Sequence, residues 1–111
     1  MTVSEIAKKL DLQLMSGAEG INNEISGAYV SDLLSDVMGN ANEGQAWITL
    51  QTHKNVMAIA SLKELSAIIM VNGLTPSEDC ATQSNLEQIP IFSTPMSTFE
   101  VAGKFYNALK L

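Results

Sequence analysis

The sequence predicts an α/β fold, a three-layer sandwich with a mostly parallel sheet flanked by helices. Two observations carry that expectation. Short apolar runs alternate with helical patterns along the chain, and in its second half three strand-then-helix units follow one another at the spacing of βαβ connections. Hydroxyl residues followed three positions on by an acid mark helix starts at Thr2/Glu5, Thr75/Glu78 and Ser97/Glu100.

Taken in order, Thr2 and Glu5 have capping-box spacing, and Val3, Ile6, Ala7 and Leu10 follow at helical intervals, so the chain opens on a short amphipathic helix. "LQLMSG" and "EISGAYVSD" have strand-like length and patterning and are separated by a turn of small residues from Gly17 to Gly20. "SDLLSDVMGNANEG" predicts a helix opening at Ser31 or Asp32 and stopping near Gly39, followed by a polar loop. "QAWITL" is a buried strand, and "THKNVMAIASLKEL" is a helix with a broad apolar face, capped by Thr52 or Asn55. "SAIIMVNG" is the next strand. Thr75, Pro76 and Glu78 then supply a cap, a first-turn proline and the reciprocal acid for a further helix. "IPIFSTP" is the last strand, and Ser97 with Glu100 opens the final helix. Right-handed crossovers place these helices on both faces of the sheet.

Composition narrows the function classes. The chain has 111 residues, one domain's worth, enough to bury a core without metal or disulfide staples. Hydrophobic residues are 46% and charged residues 16%, too apolar for a disordered chain and compatible with a self-association face. Twelve acids against six lysines give a net charge of −6, and the lysines are scattered, which excludes nucleic acid as the expected partner. The single cysteine, Cys80, forms no internal disulfide and no paired metal site, which fits a reducing, cytoplasmic setting. The first residues lack the apolar core of a signal peptide, and no apolar run approaches the roughly 18–20 residues that span a bilayer. A soluble protein that does not meet a membrane is expected.

In an open parallel sheet, ligands bind beyond the carboxyl ends of the strands, where helix amino termini present free N–H groups. Four loops of this chain meet there: Ser31 with Asp32; Gln51, Thr52, His53 and Asn55; Asn72 with Gly73; and Thr94 with Ser97 and Thr98. Each has a structural reading beside the ligand-binding one. His53, the only histidine, has no second histidine or cysteine at ligand spacing, so no metal is expected, and a helix-start or surface role competes with a general-base role. Gly73 supplies a tight turn or a close approach to an anion. Thr75 and Ser97 are explained by capping, and Cys80 by packing in a helix with no base near it. Trp47, Tyr29, Phe92, Phe99, Phe105 and Tyr106 fall in element interiors or on helical faces, as core residues would. "GNANEGQA" has the glycine spacing of a phosphate-binding P-loop, yet Gln45 and Ala46 replace its lysine and hydroxyl residue and it precedes a strand, so it reads as a plain loop.

The opening "TVSEIAKKLDLQLMSGAEGINNEISGAYVSDL", continued by "AIIMVNGLTPSEDC" and "IPIFSTPMST", resembles the amino-terminal domain of bacterial HPr kinase/phosphorylase. "GAYVSDLLSDVM" through "GQAWITLQTHKNVMAIASL" also resembles the DRTGG domain, although "QTHKN" stands where the signature residues of that family would be sought. The resemblance implies a regulatory or oligomerising module without the kinase's P-loop domain, hence no catalysis and no cofactor. The resulting expectation is a homodimeric regulatory module whose strand-end loops bind a small anionic metabolite or nucleotide. One alternative is a docking subunit of a larger partner enzyme, without a ligand of its own. The other is a small enzyme using His53 as general base, assisted by Asp32 or a neighbouring hydroxyl.

Overall fold

The computed structural model describes residues 1–110. It contains helix α1 (Val3–Leu10), strand β1 (Gln13–Ser16), a 3-10 turn (Ala18–Gly20), β2 (Gly27–Val30), α2 (Leu34–Asn40), β3 (Gln45–Thr49), α3 (Asn55–Leu62), β4 (Ala67–Met70), α4 (Glu78–Glu87), β5 (Ile91–Ser93) and α5 (Thr98–Leu109). The five strands form one sheet in the order β1-β5-β4-β3-β2. Strands β2 to β5 are parallel, in registers such as Trp47 beside Ile68 and Ile69 beside Phe92. β1 closes the edge antiparallel to β5, with its register shifting between Leu14 and Ser16. The expected three-layer α/β sandwich is what the chain forms.

The period of two along each central strand divides the core between the faces. Ala46, Ile48, Ala67, Ile69 and Phe92 pack with Val3, Ile6, Val101 and Phe105 of α1 and α5. Trp47, Ile68, Met70 and Ile91 pack with Val37, Val56, Ile59, Ala60 and Cys80 of α2, α3 and α4. Central strands buried on both faces read as continuous apolar runs, as parallel strands must when helices cover both sides.

Both end helices start as their sequences indicate. Thr2 Oγ1 accepts from the Glu5 N–H while the Glu5 carboxylate accepts from the Thr2 N–H, and Ser97 and Glu100 repeat the arrangement at α5. Replacing Ser97 with alanine therefore leaves the Glu100 N–H without its acceptor. It is expected to lower stability by about 1 kcal/mol in a urea melt.

Other helix starts differ from expectation. α4 is capped by Ser77, whose hydroxyl accepts from the Cys80 N–H, and Thr75 and Pro76 stay in the loop. The Ser77 N–H donates to the Thr52 carbonyl at 3.1 Å, so the chain crosses the end of β3 before it coils. α2 opens at Leu34, because Ser31 and Asp32 are drawn into hydrogen bonds with the loops. α3 has no side-chain cap from Thr52 or Asn55, and Lys54 in helical conformation stands at its N-cap. Gly39 and Asn40 of the P-loop look-alike complete α2, and only the rest of that stretch is loop or strand. Phe99 and Tyr106, expected on core faces, are 88% and 61% exposed. On α5 the buried residues are Val101, Phe105 and Ala108, and both aromatic rings lie off that stripe.

Gly17 and Gly20 pack inside the chain. A Cβ at Gly17 would meet the backbone of Ile89 and Pro90, and one at Gly20 would meet the carbonyl of Gln88. The Gly17 N–H donates to Asn85 Oδ1 at 2.7 Å, and Ser16 Oγ donates to Ser84 Oγ at 2.9 Å. These contacts hold the end of β1 against α4, whose own sequence buries only Cys80 and Ser84.

Candidate functional site

Because β2 to β5 run parallel, their carboxyl ends share one edge of the sheet, and the candidate residues lie along it. Three neighbourhoods result.

At the β2/β3 corner, Asp32 Oδ1 accepts from Thr49 Oγ1 at 3.0 Å and from the Leu50 N–H at 2.7 Å, and Gln51 Nε2 donates to the Asp32 carbonyl at 2.8 Å. Ser31 Oγ accepts from the Leu33 N–H, while the Ser31 carbonyl accepts from the buried indole of Trp47 at 2.8 Å. Behind it, Tyr29 donates to both Asp36 oxygens at 3.0 Å. Hydrogen bonds from Ser31, Tyr29 and Asn40 hold the Asp36 carboxyl below the usual value, and burial together with Asp36 raises the Tyr29 phenol. Ser31, Asp32 and Gln51 thus stitch two loops together. The carboxylate of Asp32 also opposes an anion at this corner.

At the β4/β5 end, Asn72 and Gly73 adopt left-handed conformations, and their N–H groups donate to the carbonyls of Met96 and Thr94 at 2.9 and 2.8 Å. Thr94 is 2% exposed and its hydroxyl accepts from the Met96 N–H, which makes it a turn residue. Gly73 and Thr94 line a cleft of about 550 Å³ with Asp11, Gln13 and Thr75. Ser97 is occupied by its capping box.

Between these lies the turn from Gln51 to Asn55. Thr52 is half-buried and gives its carbonyl to Ser77, while His53, Lys54 and Asn55 are exposed. The N–H groups of these three residues find no acceptor among the described residues, and α3 has no side-chain cap. This is where the edge offers free donors together with a lysine and a histidine. Lys54 and Asn55 also line a cleft of about 530 Å³ between α3 and α4, together with Met57, Ser61 and Gln83. Glu78 and Asp79 in the first turn of α4 bring negative charge to the same edge.

The sequence reading missed Lys54, although it lies inside the quoted turn, and it missed the apolar rim of this edge. Val30, Leu33, Leu50, Leu74 and Phe99 are all exposed around it. Exposed leucines have no sequence signature that separates them from core leucines in helical or strand patterns. No group of three or more histidine, cysteine or acidic side chains is placed to hold a metal ion among the described residues. Cys80 is buried, and burial pushes its thiol up to about 11, away from nucleophilic chemistry. No helix among the described residues is long and apolar enough to cross a membrane.

Such an edge, its side chains engaged in loop structure around one turn of free donors, belongs to an open α/β domain with a mostly parallel sheet. The chain belongs to the DRTGG domain family, whose sequence profile matches residues 5–108. Among solved structures it is similar to the CBS and DRTGG domains of the regulatory region of Clostridium perfringens pyrophosphatase, complexed with its activator diadenosine tetraphosphate. The TM-score is 0.72 at 17% identity, a likeness of fold, and the match covers 94% of this chain and 45% of that one. This chain thus spans less than half of the protein it resembles. No curated protein matches the sequence.

Proposed function

We propose that this chain is a non-catalytic regulatory module that binds a small anionic ligand of the nucleotide or acyl-phosphate class at the amino terminus of α3. The observation that carries the reading is the uncapped start of α3, where three free N–H groups stand beside the exposed side chains of Lys54 and His53. A helix amino terminus with unfilled donors attracts phosphate through both hydrogen bonds and the helix dipole. The similar pyrophosphatase regulatory region carries a nucleotide activator, which supports the same ligand class for this chain. Among the described residues the His53 side chain has no hydrogen-bonded acid or base, so the general-base alternative has less support than binding.

A thermal-shift titration with ATP, diadenosine tetraphosphate and acetyl phosphate tests the reading. A ligand at one hundred times its dissociation constant adds about 2.7 kcal/mol to stability, a shift on the order of ten degrees for a domain of this size. The Lys54→Ala variant is expected to bind about tenfold more weakly, as loss of one charge-assisted contact would give. A flat response to all three ligands would end this reading.

The rim of Val30, Leu33, Leu50, Leu74 and Phe99 favours a second role, self-association or docking on a partner enzyme through the same edge. An isologous dimer would place this rim against its own copy. Light scattering on Leu33→Glu and Phe99→Glu variants separates the two, because only a homodimer loses mass.

A further inference from the structure

The opposite edge of the sheet, at the amino ends of the parallel strands, holds a cleft of about 410 Å³ formed by the loops before β2 and β3 and the turns that end α3 and α4. Four glutamates line it, Glu24, Glu43, Glu64 and Glu87, and no lysine or histidine does. Glu24 takes the Met1 ammonium at 3.2 Å, and Glu87 accepts from Ser61 at 2.9 Å and Gln83 at 3.1 Å. The carboxylates of Glu43 and Glu64 have no hydrogen-bond or ion-pair partner among the described residues. The carboxyl ends of α3 and α4 border the same cleft and add their negative partial charge.

A second observation is independent of this charge. Ser66 also lines the cleft and is only 4% exposed, and its Oγ is the one buried side-chain polar atom among the described residues without a hydrogen-bond partner. Its backbone is fully engaged, the N–H donating to the Gln45 carbonyl at 3.0 Å and the carbonyl accepting from Asn23 Nδ2 at 3.4 Å. A buried hydroxyl with no partner destabilises a fold, so its natural explanation is a group that enters the cleft and bonds to it.

We propose that this cleft binds a small organic amine, with ammonium N–H groups donating to Ser66 Oγ and to the carboxylates of Glu43 and Glu64. An ammonium carries three donors and no acceptor, the complement of two carboxylates that only accept and of a hydroxyl oxygen that accepts through its lone pairs. A bare metal ion suits it less, because no three histidine, cysteine or acidic side chains converge among the described residues. The volume lies at the lower end of the roughly 300–1,000 Å³ typical of small-molecule sites, room for a linear di- or triamine.

Calorimetric titration of the full chain with spermidine tests this site, with tetramethylammonium as a cation that has charge and no N–H. The expected result is saturable one-to-one binding of spermidine and none of tetramethylammonium. Ser66→Ala should weaken spermidine binding by about tenfold or more, as loss of a bond to a charged donor would. In the absence of amine, the same variant should melt no lower than the parent. Glu43→Gln with Glu64→Gln should abolish binding, while Glu78→Gln with Asp79→Asn, which removes the same charge at the other edge, should leave it intact. Overturning results would be no saturable binding, equal binding of tetramethylammonium, parental affinity in Ser66→Ala, or the same loss in both glutamine-bearing pairs.

Discussion

Trp47→Ala is expected to lower unfolding stability by about 3–5 kcal/mol, the range seen for a large aromatic side chain deleted from a core. Trp47 sits at the centre of β3, fully buried among Ile68, Val56 and Met57, with no surface through which neighbours can collapse into the space it leaves. Its indole N–H also anchors the Ser31 carbonyl at 2.8 Å, so truncation removes a packing element and releases the loop after β2 in one step. A domain of this length has about 5–15 kcal/mol to lose, which makes this among the most damaging single changes available. Trp47→Phe keeps most of the volume and loses the donor, so the difference between the two variants in urea melts reports the cavity, and the loss in Trp47→Phe sets an upper bound on the hydrogen bond.

Gly17→Ala should follow, at about 2–5 kcal/mol. The residue has φ +73°, where a Cβ costs about 1–2 kcal/mol by itself. That Cβ would also lie 2.7 Å from the Pro90 Cα and press on the Ile89 carbonyl, contacts with backbone that cannot rotate away and that add the penalty of an overfilled core. Gly73→Ala provides the comparison. It shares the left-handed backbone, with φ +72°, but its Cβ would meet nothing within 4 Å, so it should show only the conformational part, about 1–2 kcal/mol. Parallel urea midpoints for the two alanine variants measure the clash by difference. Equal losses would mean that the turn does not dock on Ile89 and Pro90 as the structure has it.

These two positions also show how far the sequence could be read. Trp47 was legible because a buried central strand is a continuous apolar run, and the boxes at Thr2/Glu5 and Ser97/Glu100 fixed two helix starts because their partners are local. The resemblance to the DRTGG domain was carried by residues 27–62, and the family assignment bears it out over residues 5–108. Gly17 read only as a small-residue turn, since its docking partners are some seventy residues away. Thr75 read as the cap of α4 from its spacing to Glu78, and Ser77 takes that place, its N–H held by the Thr52 carbonyl. The direction of β1 was settled by its pairing with β5, which no local pattern encodes.

For the candidate residues, their place along the sheet was legible and their engagement was not. All the candidate residues do lie at the carboxyl edge, as parallel topology requires. Their polar groups gave no sign of which would be engaged in holding loops, as Asp32, Gln51 and Thr94 are, and which would be left free, as the N–H groups around Lys54 are. That division depends on distances between loops that only the folded sheet sets. Ser66 is the extreme case, an ordinary serine in the sequence whose orphaned hydroxyl exists only once β4 and the flanking turns are in place.

The central claim, that the start of α3 is a ligand site, is tested most directly by mapping backbone amide chemical shifts as ATP or diadenosine tetraphosphate is titrated into the protein. The account predicts saturable changes concentrated on the amides of His53, Lys54, Asn55 and Val56. Spectra that do not change, or changes confined to residues away from this turn, would contradict it.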